Sequence, residues 1–259
     1  MNLSLENKHF VVMGVANKRS IAWGIAEALH SAGARIIFTY GKERSKKNID
    51  KLLEGLDDAS RHLVLQCDVT DDAAIDETFA TIKEKLGVLH GVAHSVAFAN
   101  KEELEGEFVN TSREGFLLAQ NISSYSLTAI ARAARPLMTE GGSIITISYL
   151  GGERVVKNYN VMGVAKASLE ASVMYLANDL GQDGIRVNAI SAGPIRTLSA
   201  KGVSDFNTVA KVIEERAPLR RSITKEDVAG SALFLFSDLS TAVTGEVLHV
   251  DSGYHTIGI

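Results

Sequence analysis

The sequence has little cysteine and little proline: one cysteine and three prolines in 259 residues. Because Cys67 has no second cysteine to pair with, an intrachain disulfide is excluded, which fits a reducing compartment. The three prolines mark no boundary, and no Ser/Gly-rich linker, low-complexity tract or internal repeat is present. The sequence therefore predicts one domain spanning residues 1–259.

Long apolar runs and an excess of positive charge are also missing. The N-terminus lacks the apolar stretch of a signal peptide, and no segment approaches the roughly 18 apolar residues of a membrane-spanning helix. The formal net charge is −4, whereas a nucleic-acid-binding protein is more often basic. We expect neither a membrane nor a nucleic acid as a partner, and we expect the protein in the cytoplasm.

Short apolar segments alternate with longer helical patterns along the whole chain. Strands are predicted at residues 9–13, 35–40, 62–66, 88–94, 143–148, 186–190 and 246–250. Helices are predicted near 20–32, 43–55, 71–86, 111–138, 160–181 and 225–237. Several strands are apolar throughout, as in parallel strands that are covered on both faces. The pattern predicts an α/β fold, a Rossmann-like, doubly wound parallel sheet of seven strands with helices on both faces.

The turn after the first predicted strand is suited to a dinucleotide. Gly14 lets the backbone approach a pyrophosphate, and the following helix N-terminus, near Ser20, offers free amide groups. The alternative is an ordinary glycine turn with Ser20 as a helix N-cap. Because the run is not G-x-G-x-x-G, its position after the first strand carries most of the argument.

Three other strand ends complete the predicted cofactor site. Asp68 follows the third strand and is interpreted as an adenine contact, the alternative being a turn or capping aspartate. His94 is expected to be a packed histidine at the end of the fourth strand. After the second strand, Gly41 offers no carboxylate for NAD, while Lys42 and Arg44 are suited to the 2′-phosphate of NADP. We expect NADH, with NADPH as the alternative.

The catalytic prediction rests on Tyr159 and Lys166. Seven residues at about 100° each bring both side chains to one helix face, roughly 10.5 Å apart along the axis. A tyrosine donates a proton poorly at neutral pH, and a nearby cation would lower its pKa. The pair therefore indicates a proton donor and its support beside a cofactor. The alternative is an unrelated aromatic–lysine pair, against which stand the strand-end location and the neighbouring Tyr149.

The whole chain resembles a known family, the divergent branch of the short-chain dehydrogenase/reductases. More narrowly, it is similar to the bacterial enoyl-acyl-carrier-protein reductases of type II fatty acid synthesis. The matching segments are residues 13–21, 67–69, 148–152, 159–169, 186–197 and 249–253. The seven-residue spacing is the specific feature, because ordinary members of the superfamily use Tyr-x-x-x-Lys, and the residue four after Tyr159 is Gly163.

The resemblance implies a role for each matching residue. Tyr159 would hydrogen-bond the thioester carbonyl of the substrate, Lys166 would bind the nicotinamide ribose, and Tyr149 would be a second active-site tyrosine. The implied cofactor contacts are Gly14, Ser20, Ile21, Asp68, Val69, Val96, Lys166, Ile195, Arg196, Thr197, Leu198 and Ser199. The implied substrate contacts are Ala99, Tyr149, Tyr159, Met162 and Phe206. No metal ligand is among them.

The implied reaction is hydride transfer from the nicotinamide to the β-carbon of a trans-2-enoyl thioester, with Tyr159 stabilising the enolate oxygen. In carbonyl reduction the hydride lands on the carbon that bears the oxygen, whereas here it lands two carbons farther away. The acid must therefore stand farther from the nicotinamide, and three extra helix positions add about 4.5 Å. The rival predictions are a 3-oxoacyl or other carbonyl reductase and a non-catalytic dinucleotide sensor.

A mobile cover and a partner protein are also predicted. Residues 196–215 follow the sixth strand and are expected to form a lid over the acyl chain. From Arg196 to Lys225 the sequence has seven basic and three acidic residues, which would suit an acidic acyl-carrier protein. Lys201 and Arg221 are the docking candidates. The resemblance further implies a homotetramer.

Overall fold

The computed structural model describes residues 4–195, 197 and 206–257, and the last range has described side chains from residue 211 onward. Its strands form one parallel sheet in the order β3-β2-β1-β4-β5-β6-β7. Their bounds are β1 His9–Met13, β2 Arg35–Tyr40, β3 Leu63–Gln66, β4 Gly91–His94, β5 Gly142–Ser148, β6 Ile185–Ala192 and β7 Val247–Val250. The prediction of a seven-stranded, doubly wound parallel sheet is confirmed.

The helices cover both faces of this sheet. They are α1 Ile21–Ser31, α2 Glu43–Leu53, α3 Asp72–Leu86, α4 Arg113–Gln120, α5 Ser126–Ala134, α6 Asn160–Leu180, α7 Phe206–Arg216 and α8 Lys225–Phe236. Side chains alternate along β1, where Val11 packs with α3, α5 and α6 while Phe10 packs with α1 and α8. The sheet therefore separates two apolar cores, which explains why its strands are apolar on both faces.

Two helical segments differ from the sequence prediction. The single helix predicted over residues 111–138 is α4 and α5 joined by a π-helical segment, Asn121–Tyr125. In that segment the buried Ser123 hydroxyl donates to the carbonyl of Phe98 and accepts from its amide. Such bulges depart from regular i→i−4 bonding, and this one ties the helix to the loop after β4. Helix α7 was not predicted, because its residues were interpreted as part of a lid.

The sequence predicts no helix that spans a membrane, and the described helices can be compared with this prediction. Within residues 4–195, 197 and 206–257, none combines the length and the apolar character needed to cross a bilayer.

A contact between the buried His62 and the half-buried His30 lies at the amino end of the sheet. His62 is 7% exposed, its Nδ1 accepts from the amide of Ile36 at 3.0 Å, and its Nε2 lies 2.9 Å from Nδ1 of His30. Burial, followed by the influence of His30 and Arg61, lowers the pKa of His62 to about 4. Protonation at Nδ1 would also break the bond to Ile36, so the folded protein holds His62 neutral.

This histidine is expected to make the protein sensitive to acid. The unfolded chain binds a proton at His62 near pH 6.5, but the folded chain does so only near pH 4. The free energy of unfolding should therefore fall as the pH drops through this window, by about 3 kcal/mol from His62. His62→Asn keeps an acceptor for the Ile36 amide without titrating, so urea unfolding at pH 7 and pH 4.5 should show a smaller loss. Equal losses in the two proteins would refute this role.

Candidate active site

The cofactor end of the site lies where β1 and β4 are neighbours. Helices leave these strands toward opposite faces, and in such sheets ligands bind in the resulting crevice beyond the carboxyl ends. Gly14 follows β1 with a φ of +89°, and a Cβ atom at this position would lie 1.9 Å from the carbonyl oxygen of Ser95, which follows β4. Only a glycine fits here, and it brings the two strand ends into backbone contact.

Ser20 stabilises the loop before α1 instead of capping the helix. It occupies the N-cap position, but its side chain accepts no bond from the first turn of α1. Its hydroxyl oxygen accepts from the amides of Ala16 and Asn17, at 3.0 and 3.1 Å. The predicted alternative of a side-chain cap is therefore wrong. Without that cap, the first amide groups of α1 are left to an anion, which the helix dipole also favours.

Asp68 forms the turn that the sequence analysis gave as the alternative to an adenine contact. Its Oδ1 accepts from the amide and the hydroxyl of Thr70, so it forms a turn, while the N-cap of α3 is Asp71. These bonds lower the pKa of Asp68, and the nearby Lys42 acts in the same direction. The side chain is exposed at the carboxyl edge of the sheet. An ionised carboxylate is thus fixed where the adenine contact is predicted.

The other predicted cofactor contacts lie on the two core surfaces. Val69 and Val96 are half-buried against the core on the α3–α6 face, and Ile21 and Ile195 are half-buried against the opposite core. Thr197 is also half-buried. Arg196, Leu198 and Ser199 lie outside the described residues.

Tyr149 and Tyr159 meet at the end of β5. Their ring centroids are 4.9 Å apart with an interplanar angle of 72°, an edge-to-face contact that fixes both rings. Tyr159 occupies the N-cap position of α6 with non-helical backbone angles, so it stands just before the helix. Both side chains are half-buried. The structure thus brings the two predicted tyrosines together.

The electrostatics of Tyr159 differ from the sequence-based expectation. Burial, then the neighbouring Tyr149 and Glu170, raise the pKa of Tyr159 instead of lowering it, and Lys166 is not among the groups that act on it. Burial likewise raises the pKa of Tyr149 to about 12, with a further contribution from Tyr254. The expectation that a cation lowers the tyrosine pKa is therefore wrong. Both phenols are neutral hydrogen-bond donors over the ordinary pH range.

Lys166 is buried on α6, seven residues after Tyr159, with its charge removed from bulk water. It is 5% exposed and its Nζ donates to the carbonyl oxygen of Ile147 at 2.7 Å. Burial lowers the pKa of Lys166 to about 8, against the opposing effect of Glu170. Two of the three ammonium hydrogens are left for other acceptors, a number that suits a pair of neighbouring hydroxyl groups.

His94 is a structural residue in the floor of the site, as predicted. It is 1% exposed, with Nδ1 2.9 Å from the hydroxyl of Thr146 and Nε2 2.8 Å from that of Ser126. Ser126 donates its own proton to the carbonyl of Ile122, so it accepts from Nε2 of His94. Burial, followed by the charge of Lys166, lowers the pKa of His94 to about 3. A neutral histidine with both ring nitrogens bonded is unsuited to proton transfer.

A contact between Gly151 and Gly163, which the sequence did not predict, sets the spacing of the site. A Cβ atom at Gly163 would lie 2.7 Å from the carbonyl oxygen of Gly151, and one at Gly151 would lie 2.4 Å from Cδ1 of Tyr159. The segment after β5 therefore rests directly on α6. The position four after Tyr159 cannot hold a lysine in this arrangement, which gives the seven-residue spacing a steric cause.

The predicted substrate contacts surround an apolar cluster beside Tyr159. Met162 is 7% exposed and packs in this cluster with Val161, while Ala99 and Tyr159 pack against its edge. The side-chain Nδ2 of Asn160 donates to the carbonyl oxygen of Gly106, which holds the loop after β4 near the start of α6. The backbone of Phe206 begins α7, but its side chain lies outside the described part of the chain.

Comparisons with known proteins agree with this geometry. The profile of the enoyl-(acyl carrier protein) reductase family matches residues 14–255. The chain is 68% identical over 255 residues to the NADH-dependent enoyl-[acyl-carrier-protein] reductase of Bacillus subtilis, which covers 98% of each protein. It is 62% identical over 255 residues to the NADPH-dependent reductase of Staphylococcus aureus strain MRSA252, covering 98% of this chain and 99% of the relative.

Solved structures of enoyl-acyl carrier protein reductases are also similar to this chain. The Bacillus cereus enoyl-acyl carrier protein reductase, crystallised with NADP+ and indole naphthyridinone, has a TM-score of 0.97 at 67% identity and full coverage of both chains. The Aquifex aeolicus reductase has a TM-score of 0.94 at 46% identity, with 98% and 99% coverage. The chain therefore belongs to the enoyl-(acyl carrier protein) reductase family.

Proposed function

We propose that this protein reduces the trans-2 double bond of enoyl thioesters carried by acyl-carrier protein, using a nicotinamide dinucleotide. The observation that carries the proposal is the Tyr149–Tyr159 pair at the end of β5, with Lys166 two helical turns away and Gly163 excluded from holding a side chain. A carbonyl reductase of the same fold would need its lysine at the position of Gly163. The names of the relatives support the same reaction.

The residues present fit a dinucleotide. Gly14 allows backbone contact between the ends of β1 and β4, and the amides at the start of α1 are uncapped by side chains. These groups would hold the pyrophosphate, Asp68 the adenine and Lys166 the nicotinamide ribose hydroxyls. When bound, the cofactor supplies the hydride that the β-carbon of the enoyl group accepts.

The chain itself stabilises the charge that develops on the substrate. Negative charge accumulates on the thioester oxygen as the double bond is reduced. Tyr159 is a neutral phenol, so it donates a hydrogen bond to that oxygen without first having to take up a proton. Tyr149 holds the ring of Tyr159 edge to face, and the apolar cluster around Met162 keeps water from the acyl chain.

The experiment that tests this reaction follows cofactor oxidation with crotonyl thioester and then with a 3-oxoacyl thioester at constant protein concentration. Turnover of the enoyl compound alone is expected. Turnover of the 3-oxoacyl compound alone would establish the carbonyl reductase, and cofactor binding without turnover of either would establish the sensor.

We propose NADH as the cofactor, and NADPH is the alternative that the assay tests. Relatives of both kinds are similar to this chain, NADH-dependent in Bacillus subtilis and NADPH-dependent in Staphylococcus aureus. The residue directly after β2 is Gly41, which has no carboxylate, and Lys42 and Arg44 are exposed beside it. Initial rates with the two cofactors in the same assay decide between them.

The carrier protein is proposed to dock beside α7, where Lys211, Arg216 and Arg220 are exposed. Positive charge there complements an acidic carrier. Arg221 has another task, since it pairs with both carboxylate oxygens of Asp227 at 2.7 and 2.9 Å, next to the N-terminus of α8. Reversing its charge would disturb that helix, and Lys201 lies outside the described residues, so Arg216 is the better probe.

Arg216→Glu is expected to raise KM for enoyl-acyl-carrier protein about 3- to 10-fold, because it places a like charge opposite an acidic partner. KM for crotonyl-N-acetylcysteamine, which is uncharged, should stay the same. Lys51→Glu, an equally exposed reversal on α2, is the control. A similar rise for both substrates would contradict docking at this surface.

We also propose a homotetramer in the cytoplasm. Leu117 on α4 and Met174 and Tyr175 on α6 are 60%, 57% and 75% exposed. Large apolar side chains on neighbouring helices are typical of subunit contacts. Sedimentation equilibrium measures the assembly state.

A further inference from the structure

A carboxylate that the reaction does not use lies directly beneath the segment that holds Tyr149. The hydroxyl of Ser148 donates to Oε1 of Glu170. A Cβ atom at Gly152 would lie 2.9 Å from the same oxygen. Ser148 is 2% exposed, so its hydroxyl depends on this acceptor. Glu170 therefore bonds one end of the turn that carries Tyr149 and lies close to its other end at Gly152.

Glu170 also stands one helical turn beyond Lys166 on the same helix. Residues four apart on a helix are neighbours on its surface. Burial raises the pKa of Glu170, and Glu153 acts in the same direction. The bond from Ser148 opposes this rise, as do the charges of His249 and Lys166.

Among the groups around Lys166, Glu170 is the one whose negative charge favours the protonated lysine. His94 on β4 faces the lysine but is neutral, and its pKa is itself lowered by the lysine charge. Among the described residues, Glu170 is the group that opposes the effect of burial on the pKa of Lys166. Glu153 is nearer the surface, where its Oε1 lies 2.6 Å from Nε2 of His249.

We propose that Glu170 is a positioning residue with two separable tasks: through Ser148 it fixes the turn that carries Tyr149, and through its charge it keeps Lys166 protonated for cofactor binding. The proposal rests on the proposed function, because that function gives Tyr149 and Lys166 their roles. Glu170 lies 22 positions from Ser148 in the sequence, and we propose that it acts without touching substrate or cofactor.

The direction of the charge effect follows from the lysine. A lysine binds as an ammonium below its pKa and loses that charge as the pH rises through it. With a pKa of about 8, Lys166 keeps its charge by a narrow margin at neutral pH. Removing the carboxylate of Glu170 lowers this pKa further, so cofactor affinity should be lost at a lower pH than in the wild type.

Three variants separate the two tasks. Glu170→Gln keeps a carbonyl acceptor for Ser148 and removes the charge. Ser148→Ala removes the bond and keeps the charge, and Glu170→Ala removes both. Asp179→Asn is the control, since it deletes an exposed acid on the same helix about 20 Å along the axis from Lys166.

The dissociation constant of NADH is measured by fluorescence titration from pH 6 to pH 9.5, and kcat with crotonyl thioester is measured on the same samples. For Glu170→Gln, the loss of NADH affinity should begin about one pH unit lower than in the wild type. For Ser148→Ala, the affinity profile should stay in place while kcat falls about fivefold. Glu170→Ala should show both changes, and Asp179→Asn neither.

An affinity profile of Glu170→Gln that coincides with the wild type would overturn the charge task. A kcat of Ser148→Ala equal to the wild type would overturn the positioning task. Glu170→Gln and Ser148→Ala carry the test if Glu170→Ala does not fold. If the wild type binds NADH without reducing crotonyl thioester, the proposed function fails, yet the NADH titration still decides the charge task.

Discussion

Tyr159→Phe is expected to lower kcat for crotonyl thioester about 100-fold, because the substrate oxygen loses a hydrogen-bond donor as charge builds on it. The phenyl ring keeps the edge-to-face contact with Tyr149, so the site should keep its shape. The dissociation constant of NADH should change by less than about twofold, since the lost hydroxyl belongs to the substrate side of the site.

Stopped-flow measurement of a single turnover checks this result without interference from product release. Tyr125→Phe is the matched control, because Tyr125 is 46% exposed and its hydroxyl contacts the surface residue Arg132. The pH profile adds a second check, since the raised pKa of Tyr159 predicts no loss of activity from its ionisation below pH 10. A Tyr159→Phe enzyme with wild-type kcat would remove Tyr159 from the mechanism.

The second large effect is expected at Gly14. Gly14→Ala should weaken NADH binding at least about 100-fold, because a Cβ atom 1.9 Å from the carbonyl oxygen of Ser95 must push the ends of β1 and β4 apart. The φ of +89° adds backbone strain of roughly 1–2 kcal/mol for an alanine. Isothermal titration with NADH and thermal unfolding measure the two consequences.

Gly230→Ala is the control for a general effect of glycine replacement. Gly230 is exposed in α8 with open space around its Cα, so alanine there should stabilise the protein by about 0.5–1 kcal/mol. Ser20→Ala is the milder test of the same loop, since it removes only the acceptor for the amides of Ala16 and Asn17. Undiminished NADH affinity in both Gly14→Ala and Ser20→Ala would place the pyrophosphate elsewhere.

Much of the fold could be predicted because its signals are local. A strand covered on both faces is an apolar run of four to eight residues, and the seven runs led to seven strands. The two errors in the helices have different causes. Ser123 belongs to a helical pattern, but its hydroxyl bonds the backbone of Phe98, 25 residues earlier, and a π-helical segment results. The helix at 206–216 was overlooked because small residues before it favoured a loop.

The sequence predicted which side chains meet at the candidate site, but it did not predict their electrostatics. Tyr149, Tyr159 and Lys166 follow from strand ends and helix spacing. The pKa of Tyr159 depends instead on burial, which packing from several elements determines and spacing does not reveal. The bond between Ser148 and Glu170 also joins separate elements, so neither residue attracts notice in the sequence. The protonation state of each group therefore depends on three-dimensional contacts between separate elements.

The packing of Gly151 on Gly163 has a consequence for protein engineering. To convert this protein into a carbonyl reductase, the lysine would have to move back by about one helical turn, to residue 163. In the sequence this is a small change. In the folded protein the carbonyl of Gly151 occupies the space of the first side-chain carbon at residue 163. A lysine at residue 163 would therefore require the segment after β5 to move away from α6, so we expect an exchange of activity to need changes in that segment together with the start of the helix.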